Sequence, residues 1–128
     1  MYTLELHNSV ITSSVKDDKV YIIKLSNLKL YKNLGNIGNR QDIILNSADL
    51  ILNDVIIYGK EPCYPVEIID FSLVRDGEIF GNYLEYPFVI NGNIQLVVNF
   101  RTYSKLTITA RKMYIILSEP VMEDQNLQ

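Results

Sequence analysis

The stretch that decides the fold most directly is EYPFVINGNIQLVVNF, which spans residues 85–100. Two apolar runs in it flank the dipeptide Asn91-Gly92. Asn followed by Gly accepts the positive φ angles that a type I′ turn requires at its two central positions. The stretch therefore predicts a β-hairpin whose strands cover residues 87–90 and 93–100.

On both sides of this stretch, apolar and polar residues alternate as they do in half-buried strands. The clearest strand patterns lie at residues 2–7, 19–25, 66–75 and 106–110. The polar residues 13–18, the Asp76-Gly77 dipeptide, the Tyr-rich residues 81–86 and residues 100–105 are interpreted as turns or connections. The apolar parity slips by one residue at Ser26-Asn27 and again at Arg111-Lys112, which is typical of a β-bulge; at Ser26-Asn27 a short turn is the alternative.

Many short strands with frequent turns predict an all-β, antiparallel fold. Because the strands are apolar on one face, we expect a β-sandwich of jelly-roll-like or Greek-key topology, with a closed β-barrel as the alternative. The Asn- and Gly-rich residues 33–40 and the proline-containing residues 60–65 are interpreted as crossovers between two sheets.

Residues 42–59 have two interpretations. Ser47 is a residue that caps helices and Gly59 one that ends them, so residues 47–58 fit a helix. The density of β-branched residues instead favours two short strands interrupted near Ser47 and near Asn53-Asp54. Strands are the preferred interpretation, because the rest of the chain is predicted to be all strand.

The composition indicates one globular domain, predicted at residues 1–118, followed by a polar tail at residues 119–128. Of 128 residues, 48% are hydrophobic and 21% are charged, which is ordinary for a globular protein. The formal charge is −3 and no Lys or Arg cluster occurs. Because nucleic-acid binding draws its affinity from clustered cations, nucleic acid is not expected as a partner.

The compartment predicted from the sequence is the cytoplasm. A single cysteine, Cys63, excludes an internal disulfide, and the first residues have neither the basic nor the apolar region of a secretory signal. No apolar run is long enough to cross a membrane, so no membrane is expected as a partner. Frequent Ile, Asn, Lys and Tyr with only two alanines fit an AT-rich bacterial or phage genome.

No catalytic residue, metal site or cofactor is predicted. His7 is interpreted as a surface residue on the polar face of the first strand, and Cys63 as a half-buried structural thiol between two prolines. One His and one Cys do not make a zinc site. Among the acids, Asp70 is unusual because it shares a strand face with apolar residues, which indicates a buried acid or a kink.

Tyrosine is the feature that points to function, because the chain has nine tyrosines and no tryptophan. Exposed Tyr and Arg are favoured at protein interfaces. The predicted interface residues are Tyr83, Tyr86, Arg101 and Tyr103; if they instead cap the ends of a sandwich, they are structural.

The function predicted from these observations is non-enzymatic protein binding, as in a bacterial immunity or inhibitor protein or an assembly subunit. The partner is a toxin or another protein, or a second copy in a homo-oligomer. A small-ligand module for carbohydrate-like compounds is the alternative. A hydrolase that uses Asp70 and a second acid is a further alternative.

Overall fold

The computed structural model describes residues 2–33 and 40–118. This part of the chain folds into ten strands and has no helix, so none is present there that is long and apolar enough to cross a membrane. The strands are β1 (Tyr2–Glu5), β2 (Val10–Asp17), β3 (Val20–Asn33), β4 (Arg40–Asn53), β5 (Ile56–Tyr58), β6 (Val66–Arg75), β7 (Glu78–Phe80), β8 (Tyr83–Tyr86), β9 (Val89–Phe100) and β10 (Lys105–Leu117).

Every strand pairing is antiparallel, and six strands pair in a ring. The order β2-β6-β9-β10-β4-β3 is closed by the pairing of β2 with β3. β1 and β8 extend the sheet from β3, β5 pairs with β10, and β7 pairs with β6. The predicted all-β, sandwich-like antiparallel fold is confirmed.

The core is made by the inward faces of the alternating strands, which bury one residue in two. In β9, for example, Ile94, Leu96, Val98 and Phe100 are buried while Gln95 is exposed. One continuous apolar cluster joins these faces to those of β3, β6 and β10. A single such core is what one domain of this size requires.

A register shift is present at both predicted bulges, although at the second the extra residue lies in the partner strand β9 and not at Arg111-Lys112. Leu25 pairs with Ala48 and Leu28 pairs with Asn46, so Ser26 and Asn27 together oppose a single residue. Asn27 takes a positive φ of 55° there. The second irregularity lies at Arg111, between the pairs made by Ala110 and Lys112.

The predicted hairpin at Asn91-Gly92 is wrong. Both residues lie inside the continuous strand β9, where Ile90 pairs with Met113 and Ile94 pairs with Ala110. Gly92 uses its positive φ of 130° at the irregularity opposite Arg111 rather than in a turn. An antiparallel bulge and a hairpin turn both favour a Gly with positive φ, so this dipeptide does not distinguish between them.

The segment at residues 42–59 is strand, as preferred over a helix. β4 continues through Ser47, where an interruption was expected, because Ser47 stands opposite the bulge in β3. The expected interruption at Asn53-Asp54 is present: Asp54 takes a positive φ of 57° between β4 and β5.

Of the two segments expected to cross between sheets, the proline segment connects strands that are not neighbours, but all the described strands belong to one sheet. β3 and β4, which flank the first of these segments, are paired neighbours in the same sheet, and residues 34–39 lie outside the described residues. The proline segment connects β5, which pairs with β10, to β6, which pairs with β9 and β2. Residues 60–65 contain no strand, as their two prolines predict.

Two segments interpreted as turns or connections are strands. Residues 13–17 belong to β2, and the turn there is limited to Asp18-Lys19. Residues 83–86 form β8, which pairs with β1. The Asp76-Gly77 turn and the turn after Phe100 are present as expected. The predicted tail at residues 119–128 lies outside the described residues.

Candidate functional site

The turn between β9 and β10 carries an exposed aromatic side chain on a backbone that hydrogen bonds hold in place. The amide of Tyr103 donates to the carbonyl of Phe100 at 2.9 Å, and the amide of Phe100 donates to the carbonyl of Ser104 at 2.9 Å. Tyr103 takes a positive φ of 64°, and its side chain is 94% exposed. A non-glycine residue at positive φ is uncommon. The tyrosine therefore extends into solvent from a backbone that is held on both sides.

Arg101 anchors this turn to β6. Its amide donates to the carbonyl of Glu67 at 2.9 Å, and its Nη2 donates to Glu67 Oε2 at 2.8 Å. The hydrogen bond to the Glu67 carboxylate raises the pKa of the Arg101 guanidinium, which stays charged. Beside this pair Ile69 lies at a bulge of β6, where its side chain is 37% exposed.

Tyr83 lies at the same end of the molecule as Arg101, and main-chain hydrogen bonds link the two regions. The amide of Leu6 donates to the carbonyl of Asn82 at 2.8 Å, and the amide of Asn8 donates to the carbonyl of Ile68 at 2.7 Å. The segment between β1 and β2 thus links the start of β8 to β6, to which Arg101 is bound. The Tyr83 ring is 47% exposed and packs edge-on against His7, with 5.6 Å between ring centroids.

Tyr86 lies at the other end of β8 from Tyr83. It pairs with Tyr2, is only partly exposed, and packs against the apolar core. Three residues of strand separate the two tyrosines by about 10 Å. The structure thus brings Tyr83 to the end that carries Arg101 and Tyr103, and it places Tyr86 away from them.

Glu5 on β1 is a buried carboxylate whose burial the sequence analysis did not predict. Glu5, expected on a polar face, has only 6% of its side chain exposed. The hydroxyl of Tyr31 donates to Glu5 Oε1 at 2.6 Å, while His7 Nε2 and Lys29 Nζ lie 3.2 Å and 3.7 Å from Oε2.

His7 is therefore not the surface residue that was expected. Its side chain is 27% exposed, and its Nδ1 is buried with no hydrogen-bond partner among the described residues. Because β1 lies between β3 and β8, the outward face of β1 is covered by their side chains. This cluster holds β1 to both neighbours.

A second polar cluster fastens the proline segment over β2 and β3. The hydroxyl of Tyr21, which is fully buried, donates to Glu61 Oε1 at 2.6 Å. Ser14 Oγ donates to the same oxygen at 3.1 Å and lies 2.8 Å from the Tyr64 hydroxyl. Burial, followed by the hydrogen bond to Glu61, raises the pKa of the Tyr21 phenol.

The structure contradicts the prediction for Cys63 and decides between the two interpretations of Asp70. Cys63, expected to be half-buried, is exposed as a free thiol in the proline segment. Asp70 marks a kink: it follows the bulge in β6, is exposed, and accepts from Asn82 Nδ2 at 3.0 Å. Within residues 2–33 and 40–118, no group of three or more His, Cys, Asp or Glu side chains is placed to hold a metal ion.

An open groove of about 560 Å³ crosses the outer surface of β6, β9, β10 and β5. We call it the sheet groove. Its floor is one cross-strand row in which Gln95 pairs with Val74 and Thr109, and Thr109 pairs with Ile56. The groove is also lined by Asp54, Asp76, Gly77, Asn93, Ile94, Ala110 and Arg111.

In the sheet groove, Asn93 holds Arg111 and Asp76 by hydrogen bonds, and these two charged residues do not pair with each other. Arg111 Nη1 donates to Asn93 Oδ1 at 2.8 Å, and the amide of Asn93 donates to Asp76 Oδ1 at 3.1 Å. Neither these two charged residues nor Asp54 forms an ion pair with any described residue. Two carboxylates and a guanidinium thus border the groove with hydrogen-bonding capacity to spare.

Sequence patterns did not indicate the sheet groove, because its residues are distant along the chain. Asp54 is 57 residues from Arg111, and only the strand order places both beside Gln95. The signal present in the sequence was an acidic residue at each of two predicted strand interruptions, Asn53-Asp54 and Asp76-Gly77.

Comparison of the chain with protein-family models, with curated proteins and with solved structures finds no match.

Proposed function

We propose that this protein is a non-enzymatic, protein-binding domain that acts through the end of the sheet carrying Tyr83, Arg101 and Tyr103. The observation that supports this most is the 94% exposure of Tyr103 on a turn held by main-chain hydrogen bonds. A tyrosine so exposed adds almost nothing to the core of its own chain. Its ring offers apolar area and its hydroxyl a hydrogen bond to a partner.

Preorganisation strengthens this proposal. Binding costs less entropy when the contacting groups are already held in place. Arg101 is held by a two-point contact with Glu67, and Tyr103 by the turn that Arg101 begins. Tyr and Arg are also the residue types that most often dominate binding energy at interfaces. The exposed Ile69 adjoining them adds apolar area.

The narrower form of the proposal is a bacterial immunity or inhibitor protein, or an assembly subunit, in the cytoplasm. The exposed free thiol of Cys63 supports a reducing compartment, because thiols of this kind stay reduced in the cytosol. The net charge of −3 suits a partner with a basic surface. A second copy of the chain is the other partner within this proposal.

Photo-crosslinking in cells of the source organism tests the proposal. A photoreactive phenylalanine at position 103 or 83 should capture the same partner, whereas one at Lys16, at the tip of the β2–β3 hairpin, should not. Tyr103→Ala should then weaken binding of that partner by about 1–4 kcal/mol. Thr102→Ala, in the same turn, is the matched control and should bind as the wild type does.

The result that would contradict the proposal is equally specific. If positions 83 and 103 capture no partner while Lys16 does, the interface lies at the other end of the molecule. If the captured protein is a toxin whose activity is blocked by the wild type but not by Tyr103→Ala, the protein is an immunity protein. If it is a second copy, sedimentation of Tyr103→Ala should show a weakened oligomer.

A further inference from the structure

We propose that the sheet groove is a binding site for a neutral carbohydrate chain. This inference does not depend on the protein-binding surface. The groove floor and the Arg101 turn are separated along β9 by the five residue steps from Gln95 to Phe100, which amounts to about 17 Å. The two surfaces can therefore be changed one at a time.

The chemistry of the groove matches hydroxyl groups. Each sugar hydroxyl donates one hydrogen bond and accepts others. The Asp54 and Asp76 carboxylates accept, the Arg111 guanidinium donates, and the Gln95 amide does both. Carboxylate, guanidinium and amide groups are planar with two adjacent polar atoms, so each can engage two neighbouring hydroxyls of a sugar ring.

Apolar side chains complete the match, because a sugar ring also presents C–H faces. Ile56 lies on the floor of the groove and is 56% exposed. Tyr58, two residues further along the same face of β5, is 54% exposed. It pairs with Thr107, one row beyond the Thr109 row of the floor. An aromatic ring beside a polar groove offers a stacking surface for the next sugar unit.

Charge favours a neutral ligand over an ionic one. The lining carries two carboxylates and one guanidinium, and none of the three is in an ion pair with a described residue. An anionic ligand would meet Asp54 and Asp76, and a cationic ligand would meet Arg111. A neutral polyol engages all three groups without repulsion.

The site is also preformed and of suitable size. Asn93 holds both Asp76 and Arg111, so these groups do not have to be ordered on binding. The groove volume of about 560 Å³ lies within the range of roughly 300–1,000 Å³ that is usual for ligand sites. Because the groove is open, the ends of a longer chain can continue into solvent.

NMR titration of the ¹⁵N-labelled protein tests the inference. The probes are maltotriose, cellotriose, xylotriose and chitotriose, each in millimolar excess. At least one should shift the amides of residues 93–95 and 109–111. Gln95→Ala and Arg111→Ala should each weaken that binding about tenfold or more, because each removes hydrogen bonds to hydroxyls. Asn99→Ala, on the same face of β9 but outside the groove, should bind as the wild type does.

Two results would overturn the inference. One is that no trisaccharide shifts the groove amides, or that Gln95→Ala and Arg111→Ala, with wild-type-like spectra, bind as the wild type does. The other is that hexalysine shifts the groove amides and the sugars do not, which would assign the groove to a basic peptide. Tyr103→Ala should leave sugar binding unchanged, so a failure of the protein-binding proposal is recognised separately.

Discussion

The carboxylate of Asp76 lies against Gly92, so close that a Cβ atom at position 92 would overlap its oxygen. The contact arises because the Asp76-Gly77 turn of the β6–β7 hairpin folds onto β9. The amide of Asp76 donates to the carbonyl of Asn93 at 3.0 Å, and Asp76 Oδ1 accepts from the amide of Asn93 at 3.1 Å. Gly92 is thus required by its neighbour as well as by its own positive φ of 130°.

Gly92→Ala should lower the free energy of unfolding by more than about 1 kcal/mol, because alanine resists a positive φ and its methyl group meets Asp76. Urea denaturation measures the change. Gly81→Ala is the matched control, since Gly81 has no positive φ and no atom within 4 Å of an added Cβ. When it is combined with Gly92→Ala, Asp76→Gly should recover part of the lost unfolding free energy, because it removes the overlapping carboxylate. If the effects of the two substitutions are strictly additive, the overlap contributes nothing.

Tyr21 should make stability depend on pH above about 10. The unfolded phenol releases its proton near pH 10.0, whereas the folded phenol has a raised pKa and keeps it. Its contribution is therefore complete below pH 10 and declines as the pH rises, by up to about 1.4 kcal/mol per pH unit. Urea melts should therefore show a difference in unfolding free energy between the wild type and Tyr21→Phe that becomes smaller as the pH rises above 10.

The control for this measurement is Tyr103→Phe, which removes a hydroxyl that is exposed to solvent. The pH dependence assigned to Tyr21 is the part that the Tyr21→Phe melts show beyond those of this control. Glu61→Gln should weaken the pH dependence, because the Glu61 carboxylate is the second cause of the raised pKa of Tyr21. If the difference in unfolding free energy between the wild type and Tyr21→Phe instead grows above pH 10, the raised pKa of the folded Tyr21 phenol is contradicted.

Glu5→Gln should destabilise the protein by about 1.5–3 kcal/mol, the range for hydrogen bonds to a charged group. The substitution keeps the side-chain volume but weakens the contacts with Tyr31, His7 and Lys29. Thermal and urea unfolding measure it. Glu85→Gln, on the exposed face of the neighbouring β8, should stay within about 0.5 kcal/mol of the wild type. If Glu5→Gln and Glu85→Gln change the free energy of unfolding equally, the buried cluster around Glu5 adds no stability.

Tyr86→Ala and Tyr103→Ala should act on different properties. Tyr86 packs against the core, so its loss should lower the free energy of unfolding by about 2 kcal/mol. Tyr103 is 94% exposed, so its loss should change stability by less than about 0.5 kcal/mol. Calorimetry of both variants decides this. A lowered melting temperature for Tyr103→Ala would show that the turn tyrosine is structural.

Much of the strand pattern was predictable, because it depends on local alternation. The boundaries of β6, the turn at Asp76-Gly77 and the bulge at Ser26-Asn27 follow from residues that are neighbours in sequence. A one-residue slip in apolar parity has few structural causes other than a bulge. The same reasoning excluded a central strand from the proline segment.

Burial of polar residues was not predictable in the same way. Glu5 and His7 occupy alternating positions that indicate an exposed face, yet β8 and β3 cover that face on both sides of β1. The covering groups are side chains of those two strands, Tyr31 and Lys29 from β3 and Tyr83 from β8, and residues far along the chain bring them there. Nothing within residues 2–7 shows that β1 is an inner strand.

The sequence by itself determined the all-β class, because residue alternation and turn chemistry act over a few residues. Tertiary structure alone decided the order of the strands and what they bring together. Asn91-Gly92 is compatible with a turn or with a bulge, and the pairing of the whole of β9 with β10 chose the bulge. The sheet groove has the same origin, because Asp54, Gln95 and Arg111 meet only when β5, β9 and β10 lie side by side.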